Sequence, residues 1–276
     1  MISPHTDVPG SLNSVRYAAR RWSNLFSAGV SILLLVSAAY GAEVRVMTSG
    51  ALTAAYLQVI PEFEHTTHNK VLTAYGASMG NAPDSIPSRL QRHEPADVVI
   101  LAGAALDELI KQGMVAPGSR VDLARSSIGM AVRAGTPKPD ISSVEALKHT
   151  LLNAKSIAYS ASASGVYLSQ EMFQRLGIAD QIRNKCKRIA NEPVGAVVAR
   201  GDADIGFQQI SELLPVSGID YVGPLPPDVQ KVTVFSAGVA AAAKKPDVAR
   251  ALIKFLASPA AAAAIKKSGL EPVISQ

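Results

Sequence analysis

From Glu43 onward, short continuous apolar runs of strand length alternate with segments whose apolar residues recur at helical spacing. That alternation restricts the chain to an α/β layering, sheets flanked by helices and joined by right-handed crossovers. Residues 44–47, 71–75 and 97–101 read as strands, the last (Asp-Val-Val-Ile-Leu) as a buried one because its apolar run is unbroken. Between the first two, Leu52, Ala55, Tyr56, Val59, Ile60 and Phe63 mark a helix over 52–63, with Pro61 expected to interrupt its last turn. Further helices are expected at 86–92 and at 104–112, the latter stopped by Gly113.

A nested pattern follows. Strands at 128–132 and 231–242 bracket a self-contained set: helices at 144–152, 166–176 and 194–200, strands at 156–159 and 204–208. The nesting predicts two lobes, each with a mostly parallel sheet. One is discontinuous (42–126 plus 236–276, closed by helices at 246–256 and 259–267), the other is inserted (127–235), and a ligand cleft lies between them.

Residues 1–41 read as an export signal: Arg16, Arg20 and Arg21 precede an apolar run at 25–36, then small residues lead to a cleavage point after Gly41. The run is shorter than the roughly 18–20 residues of a spanning helix. A periplasmic location by the general secretory route is therefore expected. Without the signal's three arginines and one aspartate, 24 basic residues face 21 acidic ones, and no basic run interleaved with aromatics is present. A nucleic-acid partner is excluded on that ground. The single Cys186 excludes a disulfide scaffold.

Four strand-to-helix turns are rich in small, hydroxyl-bearing or amide-bearing residues: Thr48-Ser49-Gly50-Ala51, Gly76-Ala77-Ser78-Met79-Gly80-Asn81, Ser160-Ala161-Ser162-Ala163-Ser164-Gly165 and Asn191-Glu192-Pro193-Val194-Gly195. Each alone has the plain reading of an ordinary helix cap. Taken together, two per lobe, they place free amides and hydroxyls at the carboxyl ends of strands, where an anion is favoured. Their chemistry points to a small anionic ligand.

The segments 46–55, 89–100 and Ser164-Gly165-Val166-Tyr167, with the close Phe255-Leu256-Ala257-Ser258-Pro259-Ala260-Ala261, resemble the molybdate-binding components of ABC importers and the wider type II periplasmic binding family. The resemblance spans roughly residues 43–272. It implies the two-lobed fold, a monomer and an ABC permease as partner. It also implies oxyanion contacts near Ala51, with Ser49 just upstream, at Ser78, at Ser164 and near Pro193-Val194. Gln208-Gln209 stands where the family has a tyrosine. The loop 80–89 is longer than the family's serine-rich turn and carries Arg89, a fork-shaped donor for a carboxylate.

The same branch includes aconitate-isomerase-like proteins, so two readings stay open: a binding protein for an oxyanion or small polycarboxylate, and an isomerase shifting an allylic double bond. The second needs a base, for which Tyr75, Asp84 and Glu192 are candidates. His65, His68, His93 and His149 lie in polar stretches without metal-ligand spacing, and neither a metal nor another cofactor is expected. No G-x-S-x-G elbow, P-loop or dinucleotide fingerprint follows a strand.

Overall fold

A computed structural model describes residues 41–273, so the expected export signal lies outside the described residues. In chain order the strands are β1 (Glu43–Thr48), β2 (Lys70–Tyr75), β3 (Val98–Ala102), β4 (Val121–Ser126), β5 (Ile128–Arg133), β6 (Ile157–Ser160), β7 (Cys186–Ile189), β8 (Ile205–Gln209), β9 (Ile219–Pro224), β10 (Thr233–Val239) and β11 (Glu271–Pro272). They form two sheets, ordered β11-β4-β10-β3-β1-β2 and β7-β6-β8-β5-β9. The chain is α/β and two-lobed.

The sheets are mixed. β1 lies parallel to β2 and β3, and β6 parallel to β7 and β8. β10 runs antiparallel to β3 and β4, and β5 antiparallel to β8 and β9. Apart from the two-residue β11, which runs antiparallel to β4, the reversed strands are the ones that receive the chain from the other sheet. β4 passes to β5 through Ser127 alone, and β9 returns to β10 through residues 225–232. A strand delivered from the other sheet has no helical crossover to fix it parallel. The return segment is pinned by Gln230, whose side chain accepts from the Ile128 amide at 2.9 Å and donates to the Ile128 carbonyl at 2.9 Å.

The first core forms where the helix Gly50–Thr67 buries Leu52, Ala55, Tyr56, Val59, Ile60 and Phe63 against Val44, Val46, Val98 and Ile100. Those are the six positions whose spacing marked the helix, and full burial of a Val, Leu, Ile or Phe among them is worth about 1.5–3 kcal/mol. Helices Pro246–Leu256 and Pro259–Lys267 close the same core with Leu252, Ile253, Leu256 and Ile265. Pro61 does not break its helix, contrary to expectation, which runs on to Thr67. The amide that proline lacks would have bonded the carbonyl of Leu57, a residue on the helix's exposed side, where a free carbonyl costs little.

Asp97, at the start of β3, shows what the Pro95-Ala96-Asp97 segment is for. Its buried carboxylate accepts from the backbone amides of Arg45 (2.8 Å), Lys244 (2.7 Å) and Lys245 (3.2 Å), tying β1 to the segment after β10. The second core gathers Met130, Leu147, Ile157, Leu168, Phe173 and Phe207. Its helical stretch begins at Ala163 and passes through a wide π-type turn, Leu168–Met172, where the sequence predicts a plain helix. Such turns reposition one residue of register at functional sites.

Candidate functional site

Strands β1, β2, β6 and β8 end at one place, and the turns that follow them face each other across a cleft of about 240 Å3. The volume lies just below the roughly 300–1,000 Å3 of pockets for drug-sized ligands, which suits a small solute. A larger groove of about 750 Å3 on the second lobe, beside His149 and Pro139, lies off those strand ends. The cleft, not the groove, gathers the convergent polar groups.

Ser49, Gly50, Ala51 and Ser78 line it from the first lobe; Ser162, Ser164, Pro193, Gln208, Gln209 and Glu212 line it from the second. The walls touch: the Ser78 amide donates to Ser162 Oγ at 3.2 Å. Ser78 Oγ accepts from the amide of Ala102, the last residue of β3, at 3.0 Å. Ser160 and Ser164 hydroxyls pair at 3.0 Å. Two buried polar atoms on residues that line the cleft have no hydrogen-bond partner among the described residues, Ser49 Oγ (residue 3% exposed) and Gln209 Oε1 (2% exposed). Each such atom costs about 1–3 kcal/mol unless something in the cleft bonds it. Gln209 Nε2 donates to Thr233 Oγ1 at 3.3 Å; because a hydroxyl also donates, the amide can turn and present its NH2 group instead. One wall thus offers a hydroxyl and the other an amide.

The carboxylates at the cleft differ sharply. Glu192, on the rim, is held by both terminal nitrogens of Arg200, at 2.7 and 3.0 Å, and that pairing keeps its carboxyl below the usual carboxylate range. Glu212 lies on the short helix Ile210–Leu213 after β8, with no cation among the residues lining the cleft. Its Oε1 accepts from Gln208 Nε2 at 3.0 Å, while Gln208 Oε1 accepts from the Val194 amide at 3.0 Å. Burial pushes Glu212 up from 4.5 to about 7, against the opposing pull of the Gln208 side chain and the Gln209 backbone. The residue as a whole is half-buried where it lines the cleft. Gly50 makes this possible, because a Cβ at that position would stand 2.1 Å from Glu212 Oε1. The acid of one lobe rests on the bare backbone of the other.

A family model for bacterial extracellular solute-binding proteins matches residues 44–271. The chain belongs to that family. It is 51% identical over 231 residues to an aconitate isomerase of a Pseudomonas species, covering 84% of this chain and 88% of the relative. It is 28% identical over 249 residues to the molybdate-binding protein ModA of Azotobacter vinelandii, covering 86% and 92%. A solved periplasmic molybdate-binding protein from Azotobacter vinelandii superposes with a TM-score of 0.67 at 23% identity, covering 84% of this chain and all of that one.

Within this solute-binding protein the turns singled out from sequence do meet. Met79, Gly80 and Asn81 line a side pocket that adjoins the cleft. Tyr75 and Asp84 reach the rim, both exposed. Three residues fall outside the lining. The guanidinium of Arg89 is taken up by Glu94 and by the Asp84 carbonyl, so it is committed to its own helix and is not free to receive a ligand carboxylate. The Val194 amide is spent on Gln208. Gly165 supports rather than contacts: a Cβ there would sit 1.6 Å from the Ser160 carbonyl oxygen. Glu192 does not fit the part of a base, since the Arg200 pair holds it as a stable carboxylate. Glu212 was not among the expected bases. Its one sequence signal is the spacing to Gln208, four residues back at the end of a buried strand.

Proposed function

We propose that this solute-binding protein takes up aconitate in its cleft and interconverts the cis and trans isomers. The observation that carries the enzymatic reading is Glu212, a carboxyl poised near neutrality among hydroxyl and amide donors. The identity of more than half to an aconitate isomerase supports the same reading.

The chemistry asks for one base. Ionised Glu212 takes a proton from the methylene next to a carboxylate, and the electron pair left behind spreads over the allylic carbons into the flanking carboxylates. Returning that proton to the former vinyl carbon moves the double bond by one position. The new double bond is cis or trans according to how the methylene arm was turned when the proton left. No redox partner is required, and the proton count is unchanged. A base works best with a pKa near the working pH, and the Ser49 hydroxyl and the Gln209 amide are placed to stabilise developing charge.

A second reading, a carrier that delivers its solute to an ABC permease, is favoured by the family itself and by its molybdate-binding relatives. On either reading we place the protein in the periplasm as a monomer, released from its export signal near Gly41. Incubating the full chain with cis-aconitate and following the vinyl proton by NMR tests the choice. Accumulation of trans-aconitate is expected; binding without interconversion leaves the carrier.

A further inference from the structure

We propose that the side pocket beneath residues 79–83 is a carboxylate subsite in which Arg188, with the side-chain amides of Asn81 and Asn191, holds the carboxylate of the solute farthest from Glu212. The inference rests on the reading of the cleft as a polycarboxylate site and adds a residue that sets its specificity.

Three observations lead there. The pocket measures about 400 Å3 and shares Ala77, Ala161, Ala190 and Asn191 with the main cleft, so the two form one continuous space with walls from both lobes. The main cleft is lined by Asp84, Glu192 and Glu212 and by no lysine or arginine. A molecule with two or three carboxylates therefore needs a cation beyond it, because like charges in a partly desolvated cleft repel by several kcal/mol. Arg188 is the cation that lines the adjoining pocket.

Its guanidinium is also uncommitted. Its recorded bond is a long one, from Nη2 to the Ala161 carbonyl at 3.4 Å. Among the described residues no carboxylate lies within ion-pairing distance of it, whereas Arg200 is bound by Glu192 and Asp202 and Arg89 by Glu94. The pleat of β7 explains its aim: Lys187 turns outward to the Asp202 carbonyl, and Arg188 points to the cleft side. Across from it Gly80 adopts a left-handed φ of +92°, and a Cβ there would stand 3.8 Å from Arg188 Nη2. Any larger side chain at position 80 would fill the space that a carboxylate needs.

The test uses tricarballylate, a saturated tricarboxylate that cannot isomerise, so binding is read apart from turnover. Calorimetry on the full chain and on Arg188→Gln should show a loss of affinity of about tenfold or more, the scale of one charge-assisted hydrogen-bonded contact. Arg188→Lys should recover part of it, because a point charge replaces the fork. Molybdate, too small to span both pockets, should respond much less. If wild type binds tricarballylate and Arg188→Gln binds it equally well, the subsite is wrong while the polycarboxylate reading survives. If wild type binds no tricarboxylate, both fall together. Unchanged melting of the unliganded variant separates either result from misfolding.

Discussion

Glu192 and Glu212 lie on the same wall of the same cleft, twenty residues apart in sequence, yet their surroundings give them opposite properties. On the rim, the bidentate Arg200 holds the exposed Glu192 carboxyl below the usual carboxylate range. On the floor, no cation reaches Glu212, its support is a neutral glutamine, and burial lifts it to about 7. The lesson is that residue type does not select the proton carrier; the partner does. Paired with a cation a carboxylate becomes structural, and paired with an amide in a drier place it becomes titratable.

The largest effect expected from breaking this contrast comes from Glu212→Gln. It should lower kcat for aconitate isomerisation by about 10^2–10^4-fold, the usual worth of a positioned acid–base group, while tricarballylate still binds by calorimetry. Next is Gly50→Ala. Its Cβ would stand 2.1 Å from Glu212 Oε1 and must push the carboxyl aside. Turnover should fall by roughly 10^2-fold, the cost of about 1 Å of misplacement. Melting should hold or rise slightly, because alanine suits the first turn of a helix.

A third effect concerns stability against pH. The folded protein holds the Glu212 proton to about pH 7, the unfolded chain only to about 4.5, so stability should fall as pH rises through that window. The loss is at most about 3 kcal/mol, less where water enters the cleft. Thermal melts of Glu212→Gln from pH 4.5 to 8 should lack that decline; a parallel decline in both proteins would mean that another group titrates. The smallest effect belongs to Glu192→Gln. Kinetics and melting should find turnover unaltered and the anion bound slightly more tightly, since one negative charge has left the rim. A collapse of turnover there would reverse the roles of the two acids.

Much of the fold was legible because the central strands are buried on both faces and therefore read as unbroken apolar runs. β3 is the clearest case, with every residue buried. The strands not legible, β4, β7, β9 and the two-residue β11, lack such a run. In β7, Cys-Lys-Arg-Ile lies at a sheet edge with its two adjacent charged residues exposed, and β9 is only partly buried along most of its length. The turns of the site were legible only together: each alone has the makings of a helix cap, but four of them, two per lobe, fall at strand ends. The titrating acid was not: Ile-Ser-Glu-Leu reads as an ordinary surface turn until the first lobe's Gly50 is placed against it. What raises Glu212 is burial, and one of the surfaces against it comes from a segment more than 150 residues away, a neighbour of which local pattern carries no record.

Gly50 gives that contact one more consequence. The environment of the acid is assembled from both walls, so solution acidity and wall spacing act on one thermodynamic variable. A solute that draws the walls together must change how many protons the molecule carries, and one that leaves their spacing alone need not. Binding heats measured in buffers of different ionisation enthalpy count those protons directly, turning a missing side chain into a gauge of how far the two halves move.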